Sequence, residues 1–135
     1  MYPKPGCIDA DRFEKMKAAR DLFMWFWDNV TVPLCIENPR PLKIANLPPR
    51  SQVVCPSDFG HPYTKRTYLW LRGLPPLVPT ARVPGRMVNW NGRTVERWSN
   101  QTDSGQNKLP PSADRWALRS ETYAGIAQAM AEQWG

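Results

Sequence analysis

The sequence predicts an α/β fold in which a small sheet has flanking helices and an inserted β-hairpin. Three observations lead to this prediction. Apolar residues recur at helical spacing over residues 9–30, short apolar runs rich in β-favouring residues follow, and an Asn-Gly pair separates two further strand-like stretches. With 135 residues, including 15 prolines and 8 glycines, the chain has room for one domain of short elements joined by turns. We therefore expect residues 1–135 to form a single domain.

The first predicted element is a long helix over residues 9–30. Asp9 is suited to cap its N-terminus, and Trp25 and Phe26 widen its apolar face. Apolar stripes of this kind usually pack into a core, so we expect these aromatic residues to be buried. The residues at helical spacing are Phe13, Met16, Phe23, Trp27 and Val30.

Three short strands are predicted after the helix. Residues 32–36 form an apolar run typical of a buried strand that ends in polar residues. Residues 39–50 contain four prolines and predict an irregular loop, because proline fits neither a helix interior nor a central strand. Residues 52–55 and 67–71 predict the second and third strands.

A β-hairpin is predicted over residues 86–98. Asn91 and Gly92 suit the two positive-φ positions of a type I′ turn. With the polar loop that follows, the hairpin insertion covers about residues 84–108. Beyond the hairpin insertion, Ser112 is suited to cap a short predicted helix that ends at residue 119. Thr122 predicts the cap of a last helix to about residue 133, with Ile126, Met130 and Trp134 on one face.

Positive charge is concentrated in the middle of the chain. Residues 38–98 hold ten basic and two acidic residues, or net +8, whereas the flanks are net −2 and the whole chain is +6. A basic middle is typical of a phosphate-facing surface, and a solvated face that keeps the protein soluble explains the charge equally well. The candidate residues for binding nucleic acid or a partner are Arg40, Lys43, His61, Lys65, Arg66, Arg72, Arg86, Arg93 and Arg97.

Several classes of function lack support in the sequence. Neither a GxGxxG nor a GxxxxGK[ST] loop occurs, and the three cysteines form no CxxC pair, so we expect no nucleotide loop, no disulfide framework and no metal. His61 lies between a glycine and a proline, where an orienting or packing role is commoner than general-base catalysis. The longest apolar run, residues 22–27, is too short for a membrane span, and we expect a cytoplasmic protein without a membrane partner.

Glu37 is the most informative carboxylate. It directly follows an apolar run and is the sole acidic residue between positions 28 and 58. We therefore expect it to be half-buried beside Arg40, Lys65 or Arg66, because a buried carboxylate needs a partner. The sequence leaves two roles for Glu37 open: a salt bridge at the end of the strand, or a part in a functional site.

Three blocks of sequence carry a resemblance to known proteins. They are LCIENP at residues 34–39, FGHPYTKRTYLWL at residues 59–71 and RSETYAGIAQAM at residues 119–130. They resemble a family of small phage proteins related to cytosine-5 DNA methyltransferases. Their order is the one expected in the later half of that family's sequence. The resemblance covers most of the chain outside the hairpin insertion, and its second block is the most specific.

The resemblance implies a partial methyltransferase-like, Rossmann-like sheet. It places Glu37 and Asn38 where the enzymes' Glu-Asn pair holds a flipped cytosine, and Lys65 and Arg66 where basic residues contact the substrate. The family's S-adenosylmethionine loop and its Pro-Cys nucleophile element have no counterpart in the sequence. We therefore expect a truncated domain with no cofactor, in which Glu37 and Asn38 are vestigial and no residue is catalytic.

These observations favour a catalytically incompetent, phage-derived binding protein. It would bind nucleic acid or a host complex that handles nucleic acid, and could inhibit host defence by CRISPR or restriction. The alternative is one half of a split cytosine-5 DNA methyltransferase that needs a partner subunit, and a third interpretation is a protein-interaction module. Because a missing half leaves sheet edges and apolar faces to cover, we expect a homodimer or a tight protein partner.

Overall fold

Two helices and five strands form the described part of the chain, which comprises residues 10–106, 108 and 123–135 of a computed structural model. This mixed helix-and-sheet architecture confirms the coarse prediction. The predicted caps at Asp9 and Thr122 and the predicted helix over residues 112–119 lie outside the described residues. The elements, in chain order, are α1 (Ala10–Asn29), β1 (Leu34–Asn38), β2 (Gln52–Val54), β3 (Thr67–Arg72), β4 (Arg86–Trp90), β5 (Arg93–Arg97) and α2 (Ala124–Trp134).

Strand β3 is the centre of a three-stranded sheet with the order β1, β3, β2. Both neighbours pair with it in antiparallel fashion, with Ile36 opposite Trp70 and Val53 opposite Tyr68. Strands β1 and β2 consequently run parallel to each other on either side of β3. Both pairings in this sheet are antiparallel, whereas a Rossmann-like sheet is mainly parallel, so the Rossmann-like sheet that the resemblance implies is not confirmed.

One face of β3 packs against α2 to form the main core. Leu69 projects from the strand into this core and is fully buried, and Ile126 meets it from the helix. Met130 and Trp134 pack against the same cluster, which confirms the predicted inner face of the last helix. The buried members of the cluster are Val54, Phe59, Leu69, Leu77, Ile126 and Ala129.

Helix α1 covers the other face of β3. Phe23 meets Trp70 edge to face with 5.0 Å between ring centroids, and both side chains are buried. Arg72, at the end of β3, donates to the carbonyls of Trp27 and Val30 and so satisfies carbonyls that the end of a helix leaves unpaired.

The expectation that Trp25 and Phe26 are buried is wrong. They are 57% and 42% exposed, respectively. Because a helix advances about 100° per residue, Trp25 lies about 160° round the helix from Phe23 and points away from the sheet, whereas Phe26 lies about 60° from Phe23, at the margin of the contact with the sheet. The spacing predicted the helix correctly, but α1 is apolar on two sides and the pattern did not show which side meets the sheet.

The hairpin forms a separate two-stranded sheet of β4 and β5. Asn91 and Gly92 have φ values of 50° and 75°, which confirms the predicted type I′ turn. The indole N–H of Trp98 donates to the carbonyl of Val83 at 2.9 Å and joins the end of the hairpin to the preceding segment. The Glu96 carboxylate accepts the backbone N–H of residue 85 at 2.8 Å and joins the same two segments.

Two glutamine side chains hold the proline-rich segment between β3 and β4. Gln52 accepts the backbone N–H of Leu77 at 2.8 Å and donates to its carbonyl at 2.6 Å. Gln133 does the same for Val78, at 2.8 and 2.9 Å. Prolines keep this segment out of the sheet, so its backbone has no neighbouring strand to pair with. Each glutamine amide instead pairs with the N–H and the carbonyl of one residue, as a neighbouring strand would.

The bounds of β1 and the conformation of the loop after it differ from the prediction. Strand β1 extends to Asn38, because its ladder with β3 continues until Asn38 lies opposite Tyr68. Glu37 and Asn38 are therefore part of the strand and do not follow it. The loop predicted as irregular contains a turn of 3-10 helix at Lys43–Ala45, which ends at Asn46 in the left-handed conformation.

Candidate nucleic-acid interface

A shallow cleft of about 300 Å³ lies between the proline-rich loop 40–50 and strand β3. Three basic residues, Arg40, Lys43 and Arg50, line it together with Tyr68 and Trp70. Among the described residues that line the cleft, none is acidic. Because Trp70 is only 1% exposed, the cleft combines positive charge with the accessible part of the Tyr68 ring.

The loop that forms one wall is tied to the body of the protein at three places. The indole N–H of Trp70 donates to the carbonyl of Pro48 at 2.8 Å, and Arg20 Nε donates to the carbonyl of Ala45 at 2.6 Å. At the end of the loop, the backbone N–H of Ser51 donates to the carbonyl of Leu69 at 2.8 Å. These bonds fix a segment with little regular structure, so the cleft is largely preformed.

Arg50 and Tyr68 are stacked on each other at the cleft. The Arg50 guanidinium lies over the Tyr68 ring, 4.6 Å from its centroid, and Tyr68 is itself tilted against Trp70 at 6.1 Å. A guanidinium stacked on a tyrosine keeps its N–H donors at the ring edge. This arrangement offers donors for phosphate oxygens beside a flat apolar surface.

Three of the predicted binding residues have structural roles elsewhere. Arg72 caps the end of α1. Arg86 donates to the carbonyl of Trp98 at 2.9 Å and to the Asp103 carboxylate at 3.0 Å. Arg97 donates to the backbone carbonyl of Asp103 at 3.1 Å. These guanidinium groups hold helix, hairpin and loop in place and do not line the cleft.

Two more predicted residues lie beside the start of α2. His61 Nε2 accepts the backbone N–H of Gly125 at 3.0 Å, which fits the orienting role. The Lys65 ammonium lies 5.9 Å from the centroid of the Tyr123 ring. Both side chains are therefore directed to contacts within the fold and away from the cleft.

The remaining predicted residues divide between the cleft and the open surface. Arg66 and Arg93 are exposed, and Arg93 lies beside the hairpin turn. Of the nine predicted residues, the structure brings Arg40 and Lys43 together in the cleft.

The expectation that Glu37 is half-buried is wrong, because the residue is exposed. Strand β1 is an edge strand of the sheet, and the end of such a strand is open to solvent. Asn38 is partly buried and lies opposite Tyr68 in the register. The Glu-Asn pair thus lies next to the cleft along the sheet.

Neither described cysteine has the environment of an activated nucleophile. Burial, helped by the charge of Glu37, raises the pKa of the Cys35 thiol to about 11. Burial is also the largest cause of the raised pKa of Cys55. Both thiols are therefore protonated near neutral pH, where a nucleophile needs a thiolate. Cys7 lies outside the described residues.

The sequence predictions missed Arg50, Tyr68 and Trp70 as members of the site. Tyr68 and Trp70 are two positions apart on β3 and so share one face of the sheet, a signal that the alternation of a strand provides. Arg50 lies at the end of the proline-rich loop, shortly before β2. What the sequence lacked was the path of that loop, which brings Arg50 over Tyr68.

No family model, curated protein or solved structure matches the chain. Within the described ranges, no helix is long and apolar enough to cross a membrane. The same residues contain no group of three or more His, Cys, Asp or Glu side chains that could hold a metal ion. The fold and cleft define a small mixed α and β protein with a basic, aromatic-lined surface.

Proposed function

We propose that this protein binds single-stranded nucleic acid through the cleft between loop 40–50 and β3. The observation that carries the proposal is the grouping of Arg40, Lys43 and Arg50 around the Tyr68 ring. Basic side chains contact phosphates, and aromatic rings stack with unpaired bases regardless of sequence. A single strand is favoured because a base must be unpaired to stack on the Arg50 guanidinium or to take its place on the Tyr68 ring.

We also propose that the fold derives from the edge of a methyltransferase-like sheet and that the protein has no catalytic activity of its own. Two of the resembling blocks form the neighbouring strands β1 and β3, and the described part of the third lies in and before α2 on the same sheet. Mainly parallel sheets often carry an antiparallel strand near one edge, as β3 lies here between β1 and β2. The protonated thiols of Cys35 and Cys55 support the absence of catalysis.

The proposed setting is a host complex that handles nucleic acid, and the proposed effect is inhibition of host defence by CRISPR or restriction. The phage resemblance supports this setting. In this role the cleft would occupy nucleic acid that the host complex needs. Cleft variants should then lose inhibition in parallel with their loss of nucleic-acid binding.

The experiment measures binding of a labelled single-stranded oligonucleotide by fluorescence anisotropy over a series of salt concentrations. The triple variant Arg40→Gln, Lys43→Gln, Arg50→Gln should bind more weakly, and the slope of log K against log salt should flatten by about 2, or about 0.7 for each lost phosphate contact. Tyr68→Leu should weaken binding by about 1–3 kcal/mol per stacked base.

The control is the variant Arg66→Gln, Arg93→Gln, Lys108→Gln, which removes the same charge from exposed positions outside the cleft. It should keep the salt slope and most of the affinity. Equal weakening by both triple variants would show that general charge attracts the nucleic acid, and would overturn the assignment of the cleft. Tighter binding of duplex than of single strand would overturn the stacking role of Tyr68.

The second candidate is one half of a split cytosine-5 DNA methyltransferase. The position of Asn38 opposite Tyr68, beside the cleft, favours it. The nucleophile and the S-adenosylmethionine site would then come from the partner chain. Methyl transfer to cytosine by this chain with a candidate partner, lost on Glu37→Gln, would support the split enzyme.

A further inference from the structure

Helix α1 carries an exposed apolar surface centred on Leu22, about 100° round the helix from Phe23, the residue that packs against the sheet. Leu22 is 61% exposed and lies on the same side as the exposed Trp25 and Phe26, whose rings pack edge to face at 5.2 Å. Contiguous exposed apolar surface on a small protein commonly marks an interface. We call this surface the outer stripe; it consists of Ala18, Ala19, Leu22, Trp25 and Phe26.

We propose that the outer stripe is the interface of a homodimer, in which α1 packs antiparallel against α1 of a second copy. The two-fold axis passes beside Leu22. The stripe has small residues in its N-terminal half and large aromatic residues in its C-terminal half. Antiparallel packing about Leu22 places Phe26 of each copy over Ala18 of the other, and Trp25 over Ala19, so large side chains meet small ones.

The charges of α1 favour the same arrangement. With the axis at Leu22, residues 15–21 of one copy lie opposite residues 23–29 of the other; the first half holds three basic residues and one acidic residue, or net +2, and the second holds one acidic residue, or net −1. In an antiparallel pair each half faces the half of opposite charge, and the helix dipoles also oppose each other.

The charge distribution also explains why a second copy fits better than nucleic acid. The whole of α1 is neutral, whereas residues 38–98 carry net +8. Two copies can therefore approach through α1 without the repulsion that their basic regions would meet. A neutral apolar helix offers nothing to a phosphate chain.

The first test measures the mass of the full chain in solution by sedimentation equilibrium. Wild type should have twice the 15.5 kDa of one chain. Leu22→Glu should shift the mass to that of a monomer, while Val78→Glu, which places the same charge at an apolar residue that is 62% exposed, should leave the dimer intact. A monomeric wild type at every concentration, or a Leu22→Glu protein that dimerises like wild type, would overturn the proposal.

The second test determines the orientation. Ala18→Glu and Phe26→Lys should each weaken the dimer, and an equimolar mixture should restore it, because one site of the mixed dimer pairs Glu with Lys and the other is native. Circular dichroism of each variant checks the fold. A mixture that dimerises no better than either variant alone would refute the antiparallel pairing. Oligonucleotide binding through the cleft is measured separately and can fail or succeed independently.

Discussion

The start of α2 passes so close to residues 59–61 that only glycine fits at position 125. A Cβ there would lie 2.0 Å from the carbonyl oxygen of Phe59 and 2.9 Å from His61 Nε2. Non-bonded heavy atoms prefer separations of about 3.5–4 Å, so the backbone would have to move by more than about 1 Å. Residue 59 has little freedom to move, because its N–H donates to the carbonyl of Pro56 at 2.9 Å and the N–H of the next residue donates to the carbonyl of Ala81 at 2.8 Å.

We therefore expect Gly125→Ala to destabilise the protein, although helix propensity alone favours alanine by about 1 kcal/mol. Overpacking typically costs about 1–3 kcal/mol, and the hydrogen bond from the Gly125 N–H to His61 contributes about 1 kcal/mol. The net loss is about 2 kcal/mol of unfolding free energy. For a chain of this size, it should lower Tm by about 6–10 °C.

The assay is urea and thermal unfolding followed by tryptophan fluorescence and circular dichroism. Ala127→Gly is the control, because residue 127 lies exposed on the same helix and should lose only the propensity difference of about 1 kcal/mol. A Gly125→Ala protein as stable as wild type, or more stable, would show that α2 does not dock this closely and would refute the reasoning.

Three further predictions concern the sheet and the hairpin. Glu37→Ala should change the free energy of unfolding by no more than about 0.5 kcal/mol in urea titrations, because the residue is exposed; a loss of several kcal/mol would mean a buried partner. Burial raises the pKa of the Cys35 thiol in the folded state, so the stability contributed by the protonated thiol is complete below the ordinary thiol pKa of about 9 and is lost as the pH rises towards 11. Between pH 9 and pH 11, Tm should therefore drop less in Cys35→Ala than in wild type. Gly85→Ala should loosen the hairpin, since a Cβ would lie 2.6 Å from the Arg97 carbonyl oxygen, and amide hydrogen exchange of β4 and β5 should accelerate; unchanged exchange would contradict the close approach.

Local patterns predicted most elements of the fold. The helical spacing of apolar residues indicated α1, the β-favouring run indicated β3, and the turn chemistry of Asn91 and Gly92 indicated the hairpin. These signals depend on residues close together in the chain. Long-range contacts decide the rest, including which side of α1 meets Trp70.

The candidate site could be predicted only in part for the same reason. Arg40, Lys43 and Arg72 look alike in the sequence, because each is a basic residue in a basic region. The structure separates them: Arg72 donates to carbonyls near the end of a helix far earlier in the chain, whereas Arg40 and Lys43 line a cleft. No local sequence pattern shows whether an arginine donates its hydrogen bonds to acceptors in a distant part of the chain.

The paired glutamine amides on Leu77 and Val78 have a consequence for the order of folding. One amide comes from β2 and the other from α2, near the C-terminal end, so the segment between them is held only after both elements are in place. Contacts between distant parts of a chain form slowly because loop closure precedes them. The segment carrying Leu77 and Val78 should therefore become ordered late in folding. During synthesis, its hydrogen bonds to Gln133 cannot form before α2 has emerged from the ribosome.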